Sequence, residues 1–156
     1  MDKINKLNAN AILATYEKEF SKKTIQLEIR DKKYEVNIDT KFKISELQKV
    51  FPTALDNFKK IEDINPQVAS LYFFYLLMKH FTDIEMLKTE DLEGQIKLIK
   101  AMVDLQIFDK ILNEFDQKEL EKANDLLVKF CEEVKANIES QKESFQETKK
   151  EESPLQ

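Results

Sequence analysis

A single glycine, Gly94, three prolines, one cysteine and no tryptophan are found in this 156-residue chain. One glycine cannot build a phosphate-cradling loop or a dinucleotide-binding fingerprint, each of which needs at least two. No serine or cysteine stands in a nucleophile-elbow pattern. The lone cysteine, Cys131, excludes an internal disulfide and a cysteine-built metal site. The lone histidine, His80, excludes the di-metal sites of helical bundles, which take a histidine from each of two helices. Arginine is nearly missing, Arg30 standing against 24 lysines, so the usual bidentate reader of guanine is scarce. The longest unbroken apolar run, Leu71 to Met78, is eight residues, well short of the ~20 needed to span a bilayer. The first twenty residues carry neither the apolar centre nor the cleavage site of a signal peptide. These gaps lead us to expect a non-enzymatic cytoplasmic protein with no cofactor, metal, nucleic acid or membrane partner.

What the chain does have is charge and apolar residues: 35% charged and 42% hydrophobic, with a net charge of −5. The charge is split. Residues 1–60 hold 13 basic and 9 acidic side chains, a net +4, and residues 61–156 hold 12 and 21, a net −9. Such a split either suits head-to-tail association or reflects two ordinary solvated surfaces.

The apolar pattern predicts α-helices with one β-hairpin. Ala9, Leu13, Tyr16 and Phe20, with Ile12 beside them, fall at helical spacing, and Asn8 or Asn10 is placed to cap that helix. Ile25, Leu27 and Ile29 alternate with polar residues. After Asp31-Lys32-Lys33, so do Tyr34, Val36 and Ile38. This is a hairpin over residues 24–38 with one buried face. Without glycine its turn is expected to be longer than two residues. A helix capped by Ser45 follows, with Leu47, Val50, Phe51, Leu55, Phe58 and Ile61 on one face and a break expected near Val50 because of Pro52. Asn65 and Pro66 cap and open the central helix. Ile84, Met86 and Leu87 make the next connection half-packed. Thr89 is expected to cap the following helix, with Glu90 and Asp91 in its first turn, and Gly94 to mark close approach of another helix. Residues 107–115 read as a short helix. The last helix opens at Asp116 with Glu119 in capping-box position, and Leu120, Ala123, Leu127, Phe130, Val134 and Ile138 form its near-heptad seam. The fold class is therefore α+β, predominantly helical: an N-terminal hairpin packed on five to six helices in one domain over 1–138. Residues 139–156 read as a flexible charged tail.

For function, the titratable candidates are thin. His80 is placed as a basic group at a helix C-terminus rather than as a base. Cys131 reads as an inert buried thiol. Lys22, Lys23, Lys32, Lys33, Lys41 and Lys43 surround the hairpin, but a negative chain poor in arginine argues against nucleic acid. The surplus is aromatic. Val68, Leu71, Tyr72, Tyr75 and Met78 make one face of the central helix, and Phe73, Phe74, Leu77 and Phe81 make another. Either the helix is buried all round, or Tyr72, Phe73, Phe74, Leu77 and Phe81 form a partner-binding face.

The hairpin TIQLEIR-DKK-YEVNI, the helix KISELQKVF, the aromatic helix, the acidic helices and the charged end come in an order that resembles the tail assembly chaperones of long-tailed phages and prophages of low-GC Gram-positive bacteria, over about residues 20–138. The resemblance implies a small protein of the host cytoplasm with no catalytic residues. Such a protein coats the tape measure protein, keeps it soluble during tail assembly and self-associates. It also implies a longer product made by frameshifting, for which Lys149-Lys150 offers a slippery site. A small helical adaptor using the same apolar surface is the alternative.

Overall fold

The computed structural model describes residues 2–86 and 91–151, with side chains to residue 146. The elements are α1 (Ala9–Glu19), β1 (Lys22–Ile29), β2 (Lys32–Asp39), α2 (Ile44–Ile64), α3 (Pro66–Phe81), α4 (Leu92–Asp104), α5 (Phe108–Glu114) and α6 (Gln117–Glu151). The expected α+β, mostly helical class is the observed one. The chain divides into two compact units, one up to Leu120 and one from Glu121 onward.

The hairpin pairs antiparallel, Ile25 opposite Val36 and Leu27 opposite Tyr34, so the alternating apolar residues share a face. Leu27, Val36 and Ile38 are buried on that face. The turn departs from expectation: only Arg30 and Asp31 separate the strands, with φ of 45° and 64°. Two consecutive left-handed residues make the tight turn whose twist matches paired strands. Asp tolerates that conformation, and the strand register holds Arg30 in it.

α2 is continuous through Pro52 instead of breaking near Val50, and it starts at Ile44 after Lys43 with no side-chain cap from Ser45. Pro52 is exposed, so its ring points at solvent, while Leu47, Val50, Phe51, Ala54 and Ile61 anchor both halves of the helix in the core. α3 is capped as read: Asn65 accepts a hydrogen bond from the Gln67 amide and Pro66 opens the helix. Its eight buried residues (Val68, Tyr72, Phe73, Tyr75, Leu76, Leu77, Met78 and Phe81) make it the axis of the first unit, with α2 and α4 against it. Phe42 stacks on Phe81 at 4.3 Å and meets Phe115 edge-on at 5.2 Å. Tyr72 joins three helices, accepting from Asn57 Nδ2 and donating to Gln95 Oε1, both at 3.1 Å.

Asp91 caps α4, accepting from the Glu93 amide, a role the sequence reading gave to Thr89, which lies with Leu87 and Glu90 outside the described residues. Gly94 is half-buried in the first turn of α4. α4 ends with Gln106 left-handed at φ 61°. The Gln106 amide donates to the Val103 carbonyl and the Ile107 amide to the Met102 carbonyl, the paired hydrogen bonds of a left-handed helix cap. Asp116 caps α6 through the Lys118 amide, and Glu119 carries its carboxylate to the Phe42 amide at 2.9 Å, a use the capping-box pattern did not foresee.

In α6, Leu120, Ala123 and Leu127 are buried, Phe130, Cys131 and Val134 half-buried, and Val128, Ile138 and Phe145 exposed. The helix continues to Glu151, where the sequence reading ended it near Ile138. The apolar seam does stop there, but Glu, Lys and Gln are strong helix formers and continue the backbone pattern without it. Among the described residues no helix is long and apolar enough to cross a membrane.

Candidate functional site

The five aromatic-face residues are not a surface. Tyr72, Phe73, Leu77 and Phe81 are 0%, 5%, 0% and 2% exposed, and only Phe74 is half-exposed. α2 covers one side of α3 through Phe51 against Phe73 (6.5 Å) and Phe58 against Tyr72 (6.5 Å). Phe42 covers the other end through Phe81. Of the nine residues on the two apolar faces read from the sequence, seven belong to the core of the first unit, and Leu71 and Phe74 are half-buried.

The titratable candidates do not assemble either. His80 Nδ1 lies 3.9 Å from a Glu46 carboxylate oxygen in the last turn of α3. Burial first, then Lys79, holds the imidazole below its ordinary 6.5, with Glu46 opposing. The neutral ring is thus favoured, contrary to a cationic helix-end role. Cys131 is a half-buried free thiol. Among the described residues no three His, Cys, Asp or Glu side chains group so as to hold a metal ion. Four of the six lysines around the hairpin are engaged: Lys22 with Asp39, Lys23 with Glu114, Lys41 with Glu19, and Lys43 over the Tyr16 ring at 4.9 Å.

An apolar concave feature lies elsewhere in the first unit. A groove of about 340 Å³ opens beside the hairpin, lined by Leu27 and Ile29 of β1, Tyr34, Glu35 and Val36 of β2, Asp83 to Met86, Leu98 and Met102 of α4, Ile107, and Ile111 of α5. Leu27, Val36, Met102 and Ile111 are its buried members; Ile29, Ile84, Met86, Leu98 and Ile107 are half-buried. Among the described residues, the charged members of its lining are acidic: Glu35, Asp83 and Glu85, all exposed.

Each wall has a local cause. The β face is the apolar alternation of the hairpin. The segment after α3 is pinned to β2: Thr82 bridges Ile38, the Asp83 amide donates to the Asn37 carbonyl, and the Asp83 carboxylate accepts from the Asn37 amide and Nδ2, both at 2.8 Å. Those hydrogen bonds, the backbone one first, hold the Asp83 carboxyl below its ordinary range, so it is anionic at neutral pH. The left-handed cap at Gln106 turns the chain so that Ile107 returns toward Met102. The sequence carried a trace of this groove, in Ile84 and Met86 standing apolar inside a connection. The contribution of α4 and α5 depends on tertiary packing that no local pattern encodes.

A second exposed apolar feature is α1, whose C-terminal turn alone is tied down, by Lys41 on Glu19 and Lys43 over Tyr16. It buries no residue. Ile12, Leu13 and Tyr16 are 54%, 62% and 45% exposed, and Ile4 and Leu7 before it 96% and 76%. The helix is capped by Asn8, through the Ala11 amide at 2.8 Å.

A family model described as YomO matches residues 11–154. No curated protein matches the chain, and no solved structure does.

Proposed function

Because the chain belongs to the YomO family, whose name is of phage or prophage type, we propose that this phage-associated protein is a tail assembly chaperone that binds, without catalysis, an apolar helical segment of the tape measure protein. The observation that carries this reading is the groove. Its size falls in the range of binding pockets, about 300–1,000 Å³. Its apolar lining is mostly aliphatic, with Met86 and Met102 as its adaptable members, which suits varied apolar side chains along a long client. An amphipathic helix laid in such a groove buries its apolar stripe and leaves its polar face in water. The acidic lining favours clients with lysines beside that stripe.

The test is co-expression of the full chain with a helical segment of the tape measure protein encoded by the same phage or prophage. The segment stays soluble and co-purifies with the wild-type chain. With Leu98→Glu, which puts a carboxylate on the half-buried groove wall, it precipitates, while the helical signal of the variant matches wild type. A segment equally soluble with and without the chain refutes the reading.

A further inference from the structure

We propose that, before a client arrives, the groove of one copy is filled by the N-terminal arm and α1 of a second copy. The inference rests on the groove being the helix-binding site proposed above and adds what occupies it first.

The N-terminal arm has the chemistry the groove selects. Ile12, Leu13 and Tyr16 form an apolar stripe at helical spacing, and α1 buries none of it. Lys3 and Lys6 are two of the three charged residues before Glu17, the third being Asp2. They match a groove whose charged lining, among the described residues, is Glu35, Asp83 and Glu85. Among the described residues, none that lines the groove comes from α1 of the same chain.

The placement of α1 explains why. Lys41 pairs with Glu19, Lys43 sits over the Tyr16 and Phe20 rings at 4.9 and 5.7 Å, and the Thr40 hydroxyl donates to the Ser21 carbonyl at 2.9 Å. These contacts anchor the C-terminal turn of α1 at the open end of the hairpin, where Lys22 faces Asp39. The groove begins five residues along β1, at Leu27, about 17 Å away at ~3.3 Å per residue. Donor and acceptor surfaces are therefore different patches of one chain. A contact between different patches is heterologous, and it repeats into a chain or closes into a ring.

The experiment is sedimentation of the full chain over a concentration series. Leu13→Glu alters an exposed residue of α1, and Glu35→Lys with Glu85→Lys alters exposed groove residues. Wild type associates as concentration rises. Each variant alone associates only at higher concentration, Leu13→Glu with a dissociation constant raised about tenfold or more, the loss expected for one buried leucine. An equimolar mixture of the two variants forms a one-to-one complex, because one supplies the intact groove and the other the intact arm. A wild type that is monomeric throughout, or a Leu13→Glu chain that associates like wild type, overturns the inference. If such a monomer still solubilises the client through Leu98, the functional reading stands alone. If α1-dependent association is found but no client is held, the inference stands and the functional reading falls.

Discussion

Removing one oxygen atom, by Tyr72→Phe, tests whether the aromatic helix serves the core. The Tyr72 ring is fully buried and its hydroxyl is the middle of a three-helix relay: Asn57 of α2 donates to it, and it donates to Gln95 of α4. Asn57 is half-buried and turns to water when the hydroxyl is lost, whereas Gln95 is 6% exposed and its Oε1 loses its donor. An unsatisfied buried acceptor costs about 1–3 kcal/mol. The fall is a few degrees in Tm, at about 2–4 °C per kcal/mol for a chain of this size. Urea unfolding followed by circular dichroism reads it as a shifted midpoint at unchanged slope. Gln95→Met alone is also destabilising, because the Tyr72 O–H loses its acceptor while Asn57 still donates to its oxygen. The double variant recovers most of the loss, since removing both partners together leaves nothing unpaired. Groove binding is unchanged throughout. A Tyr72→Phe stability within about 0.5 kcal/mol of wild type, the range of an ordinary surface change, refutes the relay. Loss of client binding in a fully stable Tyr72→Phe chain restores the aromatic face as the partner surface.

Other measurements probe the backbone and the titrating groups. Pro52→Ala restores a donor inside α2 and raises stability by about 1 kcal/mol or more; a lower thermal midpoint means the proline bend is needed for packing. Gln106→Gly relieves a left-handed residue at φ 61° and stabilises by about 1 kcal/mol, read by the same melts, no gain being the refuting result. Burial raises the Tyr72 and Tyr75 phenols above 10.0, with Asn57 opposing at Tyr72 and Tyr72 adding at Tyr75. The unfolded chain then loses these protons first, so their stabilisation is complete below pH 10 and is lost as pH rises through the folded values. Phenolate absorbance shows two tyrosines whose ionisation is delayed in the folded chain and returns to the ordinary range on unfolding. The His80 imidazole is depressed below 6.5, so its contribution is present above that pH and is lost as pH falls through the folded value. His80→Gln flattens this part of the stability profile, and an unchanged acid limb sinks the assignment.

Local chemistry was read well wherever one residue type decides the backbone. Asn8 and Asn65 cap helices because their side chains reach the next amides, and the alternation from Ile25 to Ile38 fixes a hairpin face. The readings that failed are those in which tertiary packing overrides a local preference. Arg30 and Asp31 make a glycine-type turn because the strand register leaves two residues for it. Pro52 stays inside a helix because buried residues on both sides hold the axis. The surplus aromatic face was an inference from helix geometry alone. A helix apolar all round is a buried helix, and the covering rings come from Phe42, Phe51 and Phe58, residues distant in sequence from the α3 positions they meet.

That burial moves the search for function without making α3 irrelevant to it. α3 ends at Phe81, stacked on Phe42, and the chain leaves it into Thr82, bridged to Ile38 of β2. The next residue, Asp83, is held by three hydrogen bonds to Asn37, two of them through its carboxylate. The position of Ile84 and Met86 on the groove wall is thus set by where the aromatic helix stops. A substitution that tilts α3, such as Phe81→Ala, removes the ring against Phe42 and carries the Asp83–Asn37 clasp with it. The cost in stability is about 3–5 kcal/mol. Its mark on function is a groove whose wall is displaced, seen as faster amide exchange at Asn37 and Asp83. Asp83→Ala separates the two effects: the core stays intact while the two carboxylate bonds of the clasp are lost and the backbone one remains, so client affinity falls without a comparable loss of stability. Equal client affinity in Asp83→Ala and wild type breaks the link from α3 to the groove.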